Sequence, residues 1–374
     1  MNKKESEYPL GIQLELFQSS KRLNLSETYE AIPKDILPTD PAIVWISDHM
    51  AKPIEKAFSI GGQSFISEII PAVIKDKKLN DYRSVFPNVR ESRIEYAIIS
   101  LASKQIVDIE YDKKEKQIHR LKTTYYQIQK EIVDAINMRE GKKLTPYDCP
   151  YNTNSIKEAL EVLRKTTITV KDEKGEKQYI FSRIKDIYMD SKYVAIELGT
   201  MATDYINSGD WRATDQSSIL ASKGKYELKL RVLLNLKFRY AKQGRHYNPS
   251  LSFLINNLDF IESKLMKTNI ERITKIIENM HEVEKLVIEK KYDGKKIIDA
   301  VFYIYPTEEF ISMIIENNKA KKRTETAFLG EDDSLIIEPM QSDFVSSAEF
   351  QKAKREYDIS KGKELYSKKK NLFN

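Results

Sequence analysis

Cysteine is almost absent from this chain of 374 residues, and Cys149 stands alone. A single thiol closes no internal disulfide and builds no cysteine-based zinc site, which fits a reducing compartment. Histidine is scarce too. His49, His119, His246 and His281 are isolated, with no pair at metal-ligand spacing. That argues against a metal site and against a metal-dependent tyrosine nickase, despite 21 tyrosines. His246 adjoins Tyr247, but adjacent side chains point apart. No G-x-x-x-x-G-K-S/T loop exists, since Gly141-Lys142 and Gly224-Lys225 lack the upstream glycine and the following hydroxyl, so ATP hydrolysis is not expected. Neither a Ser/His/Asp set nor a conspicuous carboxylate pair stands out. The expectation is a protein that is not an enzyme and that takes no cofactor or metal. Apolar runs fall short of the roughly 18 residues of a membrane helix, and MNKKESEYPL lacks the apolar core of a signal peptide, so a cytoplasmic location is expected.

What the chain does have is length for two domains and 41% hydrophobic residues for their cores. Its net charge of +6 is unevenly placed. Between Lys225 and Lys296 there are 16 Lys and Arg against 9 Asp and Glu, which leaves the remainder close to neutral. A basic field of this kind favours phosphate through counterion release.

Two stretches share one pattern. In the first, Ile156, Ala159, Leu160 and Leu163 fall at i, i+3, i+4 and i+7, a helical stripe that Asn154 or Ser155 can start. The period then changes. Thr167 to Val170 is β-branched, the run KDEKGEK turns at Gly175, and Tyr179 to Ile184 and Tyr193 to Ile196 resume extended patterns. In the second, Ile270, Ile273, Ile277 and Met280 make a stripe within Thr268 to Glu284, and LVIEKKYDGKKIIDAVFYIYP gives two strands around Asp293 and Gly294. A helix followed by a lysine-rich hairpin is the pattern of a winged helix. The fold class expected is α+β, with tandem winged-helix domains between flexible N- and C-terminal tails.

The expected order is a leader over 1–40, a first winged-helix domain over 41–210, a second over 211–318 and a charged tail over 319–374. Within the first domain, Ile43 to Phe58 and Phe65 to Ile74 read as helices. A helix from Glu91 to Ser103, strands near Ile106 to Tyr111 and Ile118 to Ile128, and a helix to about Asn137 follow. The run FPNVRESRIEYAIISLAS, then TTYYQIQKEI, then NSIKEALEVLRKTTITV with its hairpin, resembles plasmid replication initiators of the Rep type. The resemblance spans roughly residues 80 to 310 and is firmer in its first half. It implies a bacterial protein that binds double-stranded DNA at origin repeats. It also implies a homodimer formed through the N-terminal unit, duplex opening, and recruitment of host replication proteins such as a host initiator and helicase.

Candidate DNA contacts follow the pattern. Tyr226 to Lys242 reads as a helix carrying Leu230, Leu233, Leu234 and Phe238 on one face, with Lys229, Lys237, Arg239 and Lys242 elsewhere; Arg245 comes just after it. A second helix begins at Asn248 and Pro249. The third, Asn269 to Glu284, is the expected reader, with Thr268, Arg272, Lys275 and Asn279 opposite its stripe: Arg can bond guanine, Asn adenine, and Lys positions the backbone. Lys290, Lys291, Lys295 and Lys296 form its wing. The equivalent face of the first unit holds Asn154, Lys157 and Lys165 beside Glu158 and Glu161, a weaker reader, with Lys171, Lys174 and Lys177 on its wing. For both helices the bland alternative is an ordinary amphipathic face with mixed surface charge.

In the leader, Gln13, Leu14, Glu15, Leu16 and Phe17 resemble the clamp-binding motif of bacterial replication proteins, in which Gln, a central Leu and a terminal Leu-Phe pair enter a pocket of the sliding clamp. The alternative is that Leu14, Leu16 and Phe17 cover an element of the first domain. After Ile315 the sequence reads as a charged tail with helix near Ala348 to Tyr357. A second functional class remains open, a winged-helix transcriptional regulator or architectural DNA-binding protein.

Overall fold

The structure is a computed structural model and describes residues 22–47, 49–60, 62–76, 80–104, 108–111, 117–199 and 212–329. The chain divides into two compact units, residues 1–321 and 322–374. In the second unit only the end of a helix, to Leu329, falls among the described residues. The QLELF motif and the tail beyond Leu329 lie outside them.

The first half of the larger unit opens with β1 (Arg22–Leu25) and α1 (Glu27–Ala31). Here the leader expectation needs correction, because β1 pairs with β14 (Arg212–Asp215) and residues 22 to 37 are folded in. Leu25, Tyr29, Ile32 and Ile36 are all buried. A second correction concerns residues 43 to 80. The helices expected there are strands: β2 (Trp45–Ser47), β3 (Met50–Ala51), β4 (Ile54–Ile60), β5 (Gln63–Ile70), β6 (Ala72–Asp76) and, after them, β7 (Asp81–Val85). Their burial alternates along β4, the period of a half-buried strand, and Gly62 at φ 81° lets the chain reverse between β4 and β5.

Helix α2 (Val89–Lys104) leads to β8 (Asp108–Tyr111) and β9 (Gln117–Thr124). The strand expected to reach Ile128 stops at Thr124, because Thr124 and Gln127 form a reciprocal capping box that starts α3 (Tyr125–Glu140), which Gly141 ends at φ 64°. Helix α4 (Thr153–Lys165) is capped by Asn152, whose side chain accepts from Ser155 N at 2.9 Å; neither Asn154 nor Ser155 is the cap. It buries Ile156, Ala159, Leu160, Val162 and Leu163. The strands after it are four, β10 (Thr167–Asp172), β11 (Gln178–Phe181), β12 (Ile184–Met189) and β13 (Tyr193–Leu198). They part into two sheets, one ordered β11-β10-β5-β4 and one ordered β12-β13-β9-β8. The first wing is therefore half of a four-stranded sheet rather than a separate hairpin, since the β4–β5 hairpin supplies the partner of β10.

A buried cluster of charges fixes α1 and the segment after it to this half. Arg183 donates to Glu95 at 2.9 Å, to Asp35 at 2.6 Å and to Ser92 at 3.1 Å, while Tyr29 donates its hydroxyl to Glu95 at 2.5 Å. Lys34 pairs with Glu30 at 3.1 Å. Burial alone raises the Asp35 carboxyl, but Arg183, and then Lys229, more than reverse it and hold it at about 2. Breaking such a cluster leaves a buried charge uncompensated.

The second half has a three-helix core, α6 (Lys225–Lys237), α7 (Leu251–Leu258) and α8 (Met266–Glu278), followed by the ribbon β15 (Val283–Asp293) and β16 (Lys296–Pro306) and by α9 (Glu308–Leu329). Helix α9 carries the fold past the expected boundary at residue 318. Ahead of α6 comes α5 (Gln216–Leu220), whose Ile219 and Leu220 join the first core. The boundary expected near Asp210 is not where the cores part, because β14 and α5 complete the first half and α6 belongs to both. Leu228, Val232 and Leu236 join the first core, and Leu230, Leu234 and Phe238 join the second. The single apolar face expected for this helix is in fact two. The α7 helix starts one residue after the expected proline, on Ser250, which accepts from Phe253 N at 3.1 Å; residues 247 to 250 instead run beside β16, with Tyr247 N donating to Ile304 O at 3.0 Å.

The acid cluster gives a signed prediction. An unfolded aspartate titrates near 3.9, so Asp35 contributes stability that is complete above about pH 4 and lost as pH falls toward 2. Urea unfolding at pH 5 and at pH 3 should show Asp35→Asn less stable at pH 5 by about 2 kcal/mol and less sensitive to the acid step. Equal acid sensitivity in both proteins contradicts this assignment.

Candidate nucleic-acid interface

Many of the basic side chains of the second half are engaged in ion pairs within the protein. Lys225 and Lys229 lie 2.9 and 3.6 Å from Asp259, which Lys56 of the first half also reaches. Asp259 closes α7 in the left-handed region, at φ 55°, so its carboxylate is presented to all three lysines. Burial pushes the Lys225 ammonium down to about 8. Arg231 pairs with Glu227 at 3.0 Å and Glu282 at 3.4 Å, and Glu282 also receives Arg139 of the first half at 2.7 Å. Lys237 and Arg239 both bind Glu27. Arg239, expected to touch DNA, is thus an ion-pair partner of α1.

On α8 the expected reader residues divide. The helix starts at Met266 and ends with Asn279 as its C-cap, shorter at its far end than the stripe suggests, because Met280 turns into the core and the ribbon begins at Val283. Asn279 donates its side-chain amide to Lys275 O at 2.7 Å, closing the helix end. Arg272 lies 4.4 Å from the Phe260 ring centroid and donates to Ile261 O at 3.0 Å. Its side chain is held against the body beside the start of α6, where Tyr226 and Phe260 pack at 4.6 Å. Thr268 is half-buried and Lys275 is exposed, and Lys267 pairs with Glu271 at 3.8 Å. The outward face of α8 therefore alternates in sign. A helix start at Met266 also brings Lys264, exposed Leu265 and Lys267 to its leading end, residues that a helix begun at Asn269 leaves out.

The ribbon differs. Asp293 faces Lys296 across Gly294 at φ 56° and Lys295, a two-residue turn of the kind that matches strand twist. Near the core Leu286, Ile288, Ile297, Phe302 and Ile304 pack inward, but Glu289 through Lys296 is exposed on both faces. Lys290, Lys291, Lys295 and Lys296 hold no ion pair among the described residues; the carboxylates within that tip are Asp293 and Glu289, the latter accepting from the Tyr303 hydroxyl at 2.6 Å. Lys242 is exposed in the loop before α7. Arg245 is half-buried there. The first half offers less. Asn154 is exposed, but Lys157 lies 4.9 Å from the Tyr125 ring centroid, Lys165 pairs with Glu161 at 3.4 Å, and Glu158 is held by Arg83 and Arg90. Lys171 binds Glu68 at 2.7 Å, and Lys174 and Lys177 share their turn with Glu173 and Glu176. Among the described residues no group of His, Cys, Asp and Glu is placed to hold a metal ion, and no helix is long and apolar enough to cross a membrane.

No family model matches the chain, and no curated protein matches it. Solved structures similar to it include a selenomethionine derivative of domains 2 and 3 of RctB, at a TM-score of 0.44 and 10% identity, covering 75% of this chain and 96% of that one. The Pi initiator protein in complex with iteron DNA is similar at a TM-score of 0.42 and 13% identity, over 59% of this chain and 91% of that one. A second structure of RctB domains 2–3 matches at 0.39 and 12%, over 75% and 98%.

The packing of Arg272 leads to an expected outcome that separates a structural from a reading role. Arg272→Ala should lower stability by about 1 kcal/mol through removal of the ring packing and the bond to Ile261, measured by urea unfolding without DNA. Unchanged stability contradicts the placement.

Proposed function

We propose that this chain is a sequence-specific DNA-binding initiator of plasmid replication, with its second winged helix as the main contact to duplex origin repeats. The observation that supports this reading is the lysine ribbon. Eight consecutive residues from Glu289 to Lys296 are held out where they bury nothing, and four of them are lysines without ion pairs. A structural hairpin of this length would turn one face to a core. A ribbon that remains exposed at both faces while presenting ammonium groups is suited to phosphate, and the adjoining α8 supplies a helix of groove-filling size. The closure of Arg272 and Asn279 onto the protein shifts base contact toward Thr268, Lys275 and the leading end of α8.

In this reading the first half contributes less to duplex affinity, since its wing tip carries compensating glutamates. Host initiator, helicase and sliding clamp are proposed partners, the clamp through Gln13, Leu14, Leu16 and Phe17; a homodimer through the first half is a further part of the proposal. Duplex opening is what distinguishes an initiator from the regulator or architectural alternative, and permanganate reactivity of thymines at a bound A·T-rich origin reports it. Repeats of about 20 base pairs, roughly two helical turns, beside the coding region are expected.

Replacing Lys290, Lys291, Lys295 and Lys296 by Ala should weaken binding to repeat DNA and reduce the slope of log affinity against log salt by about 0.9 for each phosphate no longer neutralised. Lys157→Ala with Lys165→Ala should change it far less. Fluorescence anisotropy across a salt series measures both, and an unaltered slope in the ribbon variant refutes the phosphate role.

A further inference from the structure

We infer that the solvent face of the sheet formed by β12, β13 and β9 binds single-stranded DNA, by stacking bases on Tyr188 and Tyr193. The inner face of this sheet is ordinary core, with Val194 and Ile196 buried and Ile187 and Met189 packed against them. Its outer face is not what a solvated sheet requires. Tyr188 is 68% exposed and Tyr193 52% exposed, two large rings left in water where polar residues would serve.

Register places them usefully. Ala195 lies directly opposite Tyr188 on one side and Lys122 on the other, and Tyr193 lies opposite Thr124. Tyr188 and Tyr193 are thus diagonal neighbours on one face, with side-chain origins about 7–8 Å apart. That is close to twice the roughly 3.4 Å stacking interval of nucleic-acid bases, so a single base fits between the rings. Ala195, small and half-buried, leaves the floor between them open.

The surroundings are built to hold this geometry. Asp190 accepts from the backbone N–H groups of Lys192 and Tyr193, both at 2.6 Å, which fixes the β12–β13 turn and the base of the Tyr193 side chain. Tyr125 donates its hydroxyl to Asp190 O at 3.2 Å, tying the turn to α3. Lys192 lies 5.3 Å from the Tyr193 ring centroid, so an ammonium group borders the platform. Lys122, directly across from Ala195, is a second cation on the same face. The carboxylates nearby are limited in effect. Asp190 is engaged by the turn, Glu197 is held by Lys185, and Asp186 is exposed at the far end. Rings spaced for a base, with cations beside them, fit a single strand, whose bases are open to stacking. A duplex, with its bases already stacked, gains nothing from the tyrosines. The site is separate from the ribbon of the second half, so the molecule has the means to hold a paired and an unpaired segment at once.

The test is anisotropy of the full chain with a labelled oligothymidylate of about 12 nucleotides, within the usual size of such platforms. Tyr188→Ala with Tyr193→Ala should weaken binding roughly tenfold or more for each ring, leaving binding to repeat duplex within about twofold of the parent. Tyr188→Phe with Tyr193→Phe should retain single-strand binding, because stacking needs the ring and not the hydroxyl. The idea is overturned if the parent ignores the oligonucleotide at low salt, if the alanine variant binds it as the parent does, or if an oligouridylate binds more tightly. Absence of duplex binding in the parent, with the tyrosine-dependent single-strand binding intact, would sink the duplex proposal and leave this one standing.

Discussion

The structure depends on a helix that serves two cores. Residues 225 to 237 send Leu228, Val232 and Leu236 into one core and Leu230 and Leu234 into the other, so neither half can complete its interior without the same backbone. Charge reinforces the arrangement. Arg231, on this helix, meets Glu282 of the second half, and Arg139 of the first half meets the same carboxylate from the other side. Asp259 repeats the device with Lys225, Lys229 and Lys56. Ions so buried are poor sources of net stability but costly to separate, which makes them suited to holding one relative orientation.

That constraint explains the distribution of charge over the surface. A sequence surplus of seven between Lys225 and Lys296 looks like a uniformly basic domain, but Lys225, Arg231, Lys237 and Arg239 are taken up in holding the halves and the N-terminal segment together. Four lysines without an ion pair stand together at the tip of the ribbon. Pairing within the fold therefore redistributes this charge: lysines without an ion pair gather at residues 290 to 296, whereas along α8 the signs alternate.

Local pattern makes some of this legible. The ribbon can be placed because Asp-Gly between alternating apolar residues specifies a tight turn, and the stripe of α4 can be placed because four apolar residues at helical spacing leave little choice. Non-local pairing is not legible. Residues 54 to 70 are rich in isoleucine and phenylalanine in a pattern that suits helix or strand, and their partner, β10, lies far along the chain. β1 is a short segment whose ladder runs to residues 212 to 215, farther still along the chain. Helix α6 misleads because its leucines read as one face, whereas they serve two cores. At the site, Arg272 and Asn279 have the residue types of base readers, and only Phe260, Ile261 O and Lys275 O show where those side chains go. Tyr188 and Tyr193 escape the pattern because alternation along one strand does not reveal which rings face each other across two.

The central claim is that the shared helix makes the two halves one cooperative body, and urea unfolding of paired variants tests it most directly. Leu228→Ala empties a site in the first core and Leu234→Ala one in the second, each costing about 2 to 5 kcal/mol. The account predicts a single transition in the parent and in both variants, shifted to lower urea in each. Two separable transitions, with each substitution moving only its own, would contradict it.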